Sequence, residues 1–150
     1  MAALRDLADT NILVRLVTRH DPECSLVRGA LHALLVQGAR LCYTPQTMAE
    51  FWNVSTRLPE RNGYGFTPLE ADCRARRFER AFTWLPDGEA VYREWRRLIM
   101  AHAVSRVQVY DARFVAVMKV HDVAHLLTLN DCDSARYAGS TVVHPSQVAV

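Results

Sequence analysis

Asp9-Thr10-Asn11 follows a short apolar run, Leu7-Ala8 with Leu4 upstream, and further acids recur in comparable places: Glu50, Asp111 and the pair Asp131 and Asp133. Each follows a segment that reads as a buried strand or opens a helix. A carboxylate withdrawn from water must be paired or must coordinate a metal. Four such positions therefore point to one cation site. Carboxylate oxygens suit the hard cations Mg2+ and Mn2+, and Mg2+ keeps several waters while binding phosphate. Such a cation polarises a phosphate ester and lowers the pKa of a bound water for in-line attack.

The elements that must position these acids alternate between strand and helix, without repeats or low-complexity stretches. Residues 4–8 read as a first strand, although Arg5 and Asp6 interrupt its apolar character. Ile12, Leu13, Leu16 and Val17 fall at helical spacing, which predicts a short helix to about Thr18. Asp21 and Pro22 open a second helix with Val27, Leu31 and Leu34 as its stripe and Gly38 as its stop. A strand over 41–44 leads into a helix capped by Thr44, with Met48, Phe51 and Trp52 as its apolar side. After a loop over 59–66, Thr67-Pro68-Leu69-Glu70 is a capping box for a helix running towards Thr83. Another helix starts near Asp87, with Val91, Trp95, Leu98 and His102 inward. Residues 107–109 read as extended, Asp111 opens a helix to about Val120, and 124–129 and 141–143 read as the last strands. Strands alternating with helices imply a parallel sheet covered on both faces.

In such sheets ligands gather beyond the carboxyl ends of the strands. Asp9 lies just past the first strand and Asp131 and Asp133 just past the 124–129 strand, so both can reach one edge. Glu50 sits more than one turn into its helix, on a polar stripe of Gln46, Glu50, Asn53 and Arg57 that reads by itself as a solvated face. Asp111 shares a side with Val115 and Met118, which points its carboxylate inward; a first-turn aspartate favoured by the helix dipole explains it equally well.

A chain of 150 residues, half of them hydrophobic, is expected to form one domain. The formal charge of +2 does not indicate nucleic-acid binding by itself. All cations but Lys119 are arginine, which pairs two-pronged with phosphate, although a compositional bias accounts for this as well. Cys24, Cys42, Cys73 and Cys132 show no zinc-type or disulfide-type spacing, which fits a reducing compartment. With no leader and no apolar run near the roughly 18 residues of a membrane span, a cytoplasmic protein without a membrane partner is expected.

Taken together, Asp9-Thr10-Asn11-Ile12-Leu13, Ala49-Glu50-Phe51-Trp52, Tyr110-Asp111-Ala112-Arg113-Phe114-Val115-Ala116 and Leu127-Thr128-Leu129-Asn130-Asp131-Cys132-Asp133 resemble, in order and spacing, the signatures of PIN-domain ribonucleases. Among these the chain is most similar to the VapC toxins of bacterial toxin-antitoxin pairs, and the resemblance extends to Tyr137-Ala138-Gly139 and Val142-Val143-His144-Pro145. It implies a PIN-like three-layer α/β/α sandwich with a central parallel sheet. It also implies Mg2+- or Mn2+-dependent hydrolysis of RNA to a 5′-phosphate and a 3′-hydroxyl, a VapB-like antitoxin partner, and a homodimer. Residue by residue it implies Asp9, Glu50 and Asp111 as acidic ligands, with Asp133 as the fourth acid by its spacing from Thr128. Thr10, Asn11 and Asn130 are implied as groups supporting the ligands or contacting phosphate, roles that share these positions with ordinary strand-end turns. The chain departs from the pattern at Ser134, where an aromatic residue is usual, and at Asp131, a competing carboxylate.

Other features rank lower. The arginines at 74, 76, 77 and 80, and at 93, 96 and 97, read first as solvated faces partly neutralised by Glu70, Glu79 and Glu94. His121 and His125 straddle a helix end and read as unrelated side chains, and Trp52, Trp84 and Trp95 as core or interface. A dehalogenase-type phosphatase needs an aspartate where Asn11 stands, and a receiver domain needs a lysine after a late strand, where none occurs. A catalytically weak PIN domain acting mainly as a protein- or RNA-binding module stands as the alternative function.

Overall fold

The computed structural model describes residues 3–130 and 137–148. Five parallel strands, β1 (Arg5–Ala8), β2 (Arg40–Tyr43), β3 (Thr83–Trp84), β4 (His125–Leu127) and β5 (Thr141–Val143), form one sheet in the order β3-β2-β1-β4-β5. The helices are α1 (Thr10–Val17), α2 (Glu23–Val36), α3 (Pro45–Thr56), α4 (Pro68–Ala81), α5 (Glu89–Ala101) and α6 (Gln108–Val120). The strand neighbours reverse direction about β1, so the crevice beyond the ends of β1 and β4 is the topological switch point of this sheet.

Successive side chains of a strand alternate between faces, and the sheet is buried on both. Leu7, Cys42 and Leu126, neighbours in register, join a core with Val91 and Leu98 of α5 and Val115 and Met118 of α6. Ala8, Leu41 and Leu127 face the other way, into a core with Ile12 and Leu13 of α1, Val27 and Leu31 of α2, Phe51 of α3 and Phe78 of α4. The result is the expected α/β/α sandwich with a central parallel sheet.

Caps explain most helix starts. The Thr44 hydroxyl accepts from Thr47 N while the Thr47 hydroxyl accepts from Thr44 N, closing a buried capping box ahead of α3. Thr67 and Glu70 do the same for α4. The second helix starts at Glu23, and Asp21 caps it from outside by accepting from Glu23 N at 2.9 Å.

Three expectations need correction. Residues 107–109 are not extended: α6 starts at Gln108, because its amides already bond back to Arg106 and Val107. Thr83–Trp84 pairs with Cys42 and Tyr43 as a fifth strand, too short to carry an alternating pattern of its own. The apolar run 124–129 is a strand only over His125–Leu127, and the Thr128 hydroxyl just beyond it bonds to Asp9. Asp6, which seemed to weaken the first strand, is buried beside His125 across the β1–β4 pair, 3.3 Å from Nδ1.

Candidate active site

Asp9 is the first residue past β1, and its amide donates to Leu127 O, which holds it against β4 at the switch point. It is also the N-cap of α1: Oδ1 accepts from Thr10 N at 2.6 Å. Its Oδ2 accepts from the Thr128 hydroxyl at 2.7 Å and from Asn11 Nδ2 at 3.2 Å. Asn11 Nδ2 also lies 2.9 Å from Thr128 Oγ1, while its Oδ1 accepts from Leu129 N. One aspartate is thus anchored by the helix behind it and the strand beside it.

Glu50 reaches the same edge from α3. Thr10 donates its hydroxyl to Oε2 at 2.6 Å, and Gln46 Nε2 donates to Oε1 at 2.9 Å. Gln46 Nε2 also donates to Tyr110 O at 3.4 Å, tying α3 to the residue before Asp111. Two acceptors on one side of the amide require its NH2 group there, which leaves Gln46 Oε1 buried without a donor. The stripe expected to face solvent is therefore an inward one at its first two positions: Gln46 is 7 % exposed and Glu50 half-buried, and only Asn53 is exposed. Its proximity to α6 made the difference, a contact that helical spacing does not encode. Asp111 lies in the first turn of α6, half-buried, with Val115 and Met118 fully inside below it.

Burial raises the Asp9 carboxyl above its ordinary value; the bonds from Thr128 and Thr10 oppose this, and the charges of Glu50 and Asp111 add to it. Asp9, Glu50 and Asp111 are thereby electrostatic neighbours. Asp131 and Asp133 lie outside the described residues, and among the described ones no three His, Cys, Asp or Glu side chains form a ready metal cage. The donor set nonetheless suits a hard cation. A carboxylate has about four acceptor sites; Asp9 uses three and Glu50 two. Mg2+ commonly takes one or two carboxylates and completes its shell with water and phosphate.

Thr10 and Asn11 meet the acids directly. Asn130 contributes its amide, donated to Thr128 Oγ1, while its residue is exposed. Sequence reading did not single out Gln46 as a site residue; one turn before Glu50 on the same helix, it could have been found by that spacing. Thr128, inside the predicted strand 124–129, served the sequence reading only as the mark from which Asp133 is spaced, and its bond to Asp9 comes from the fold. The two histidines go separate ways, His121 Nε2 to Pro86 O and His125 to Asp6.

The PIN domain model matches residues 7–139. The chain belongs to the PIN domain family. No functionally curated protein matches it. Among solved structures, this PIN domain is similar to a toxin-antitoxin complex from Klebsiella pneumoniae, 21 % identical over 96 % of this chain and 98 % of that one, TM-score 0.64. It is also similar to VapBC2 from Rickettsia felis, solved with a DNA fragment of its promoter, 13 % identical over 94 % and 98 %, TM-score 0.68. VapC20 from Mycobacterium tuberculosis, a toxin that cleaves the sarcin-ricin loop, is 13 % identical over 91 % and 96 %, TM-score 0.62. These likenesses establish a shared fold, and no helix among the described residues is long and apolar enough to cross a membrane.

Proposed function

We propose that this PIN domain is a metal-dependent ribonuclease toxin that hydrolyses RNA phosphodiester bonds and is neutralised by a cognate VapB-like antitoxin. The observation that carries the reading is Asp9 at the sheet's switch point, anchored by Thr10, Asn11 and Thr128 and within electrostatic reach of Glu50 and Asp111. Asp9, Asp111 and Glu50 would hold Mg2+ or Mn2+, with Asp133 as the fourth acid. The bound ion supplies Lewis-acid activation of the scissile phosphate and a more acidic water.

The chain's own groups do the positioning. Thr10 and Gln46 fix both oxygens of Glu50, so its carboxylate can orient an attacking water and receive its proton. Asn11 and Thr128 fix Asp9 against both β1 and β4, which limits the reorganisation needed when a phosphate arrives. The family resemblance supports a homodimer, and the likeness to a toxin-antitoxin complex from Klebsiella pneumoniae and to VapBC2 from Rickettsia felis supports the antitoxin partner.

The test is cleavage of single-stranded RNA by purified protein with Mg2+ or Mn2+, with excess chelator, and with Asp9→Asn. Activity should fall by about 100-fold or more on chelation and in the variant, since the metal supplies several kcal/mol of transition-state stabilisation. Undiminished cleavage in chelator would sink the metal mechanism. RNA binding without cleavage under any metal would favour the binding-module alternative.

A further inference from the structure

Between α5 and the start of α6 lies a recess of about 360 Å3 lined by Tyr92, Trp95, Tyr110, Asp87 and Arg113 among others. We propose that it is a subsite for one unstacked nucleobase of the RNA strand beside the bond being cleaved. The inference rests on the ribonuclease reading above and specifies how that site would engage its substrate.

Position comes first. Tyr110 directly precedes Asp111, and its carbonyl accepts from Gln46, which also holds Glu50. The recess and the acidic site therefore share the first turn of α6 as a wall. Its volume falls within the roughly 300–1,000 Å3 of small-ligand pockets.

The lining is suited to a planar ring. Tyr92 and Trp95 stand with ring centroids 6.0 Å apart, and the Trp95 indole is fixed by donating to Val109 O at 2.8 Å. Tyr92 and Tyr110 are 54 % and 56 % exposed, which leaves both rings accessible at the mouth of the concavity. Single-stranded RNA is recognised by splaying bases out onto such rings. The Asp87–Arg113 ion pair adds polar discrimination, with the Asp87 side chain 10 % exposed and that of Arg113 40 %. A guanidinium beside a carboxylate offers a donor next to an acceptor, the pattern a base edge requires.

The strand also has a path onward. Tyr92 lines a second, shallower groove with Arg93, Arg96 and Arg97 on the outer side of α5. Arg93 and Arg97 are paired with Glu89 and Glu94, whereas Arg96 has no acidic partner among the described residues. That leaves a cation available for a neighbouring phosphate, which weighs towards a nucleic-acid strand over a neutral peptide.

The experiment measures binding of fluorescently labelled oligoribonucleotides of about six residues, one set carrying bases and one fully abasic. The protein is the full chain carrying Asp9→Asn, in Mg2+, alone and with Tyr92→Ala or Tyr110→Leu added. Stacking is worth about 1–3 kcal/mol per base, so either added substitution should weaken binding of the base-bearing strand by about 5- to 150-fold. Affinity for the abasic strand should not change. Equal losses on both strands, or no loss on either, overturn the subsite. If the parent binds both strands equally, the subsite falls and the ribonuclease reading stands. If the parent binds neither strand while metal-loaded wild-type protein cleaves no RNA, both readings fall. Loss of affinity for a protein inhibitor with RNA binding intact assigns the recess to that partner and overturns the proposal.

Discussion

Asp9 concentrates the conflict on which the site is built. It is half-buried, beside two other acids, and its carboxyl is raised despite hydrogen bonds that favour the ion. A raised folded-state value means that the folded protein holds the proton more tightly than the unfolded chain. The ionised carboxylate then lowers stability as pH rises above 3.8, and the loss is complete above the raised value. Asp9→Asn cannot ionise. In metal-free buffer its melting temperature relative to wild type should therefore increase as pH is raised from about 4 to 7; a constant or decreasing difference would contradict the burial argument. The fourth acid is open to a similar test. Asp133→Ala should lose cleavage across a Mn2+ titration while Asp131→Ala retains it; the reverse pattern would reassign the ligand to Asp131.

At the scale of elements, β1 does two jobs with adjacent residues. Leu7 and Ala8 supply apolar surface to the two cores, while Asp6 is buried against His125 of β4. Burial raises the Asp6 carboxyl, and His125 opposes the shift by charge and hydrogen bond. His125→Leu removes that partner and should cost about 1–3 kcal/mol, since a buried polar group left unsatisfied keeps its full desolvation penalty. Adding Asp6→Leu should recover much of this loss, because replacing both partners of a buried pair by apolar residues is often neutral. Denaturant midpoints of the two single variants and the double variant provide the check, and simple additivity would show that the pair is not coupled. Gly63 marks another element-level constraint: a Cβ there would stand 1.9 Å from Arg57 O, so the turn after α3 closes only with glycine.

For the molecule as a whole, apolar surface remains where the fold itself does not need it. Trp84 on edge strand β3 is 48 % exposed, and Met100 of α5 is 77 % exposed. Trp95, read from the sequence as core or interface, packs against the core between α5 and α6 and donates to Val109 O. Aromatic residues and methionine are enriched at subunit contacts. Light scattering at micromolar concentration should give twice the 17.0 kDa chain mass, and Trp84→Ser should shift the equilibrium towards monomer. A monomeric mass for the wild-type chain would contradict self-association.

The sequence by itself determined the alternation of strands and helices, the capping of α3 and α4, and the placing of Asp9 at the end of the first strand, because periodicity, caps and strand-end polarity are local properties. The stripe on α3 shows where that information stops. Gln46 and Glu50 look like solvated helix residues until the first turn of α6, more than 50 positions away in the chain, is brought against them. The same holds for β3, a strand only because Cys42 and Tyr43 offer it a ladder, and for the engagement of Thr128 with Asp9 across β1 and β4. Which residues share a face is written along the chain; which faces meet depends on the order of strands in the sheet, and only the packed structure decided that.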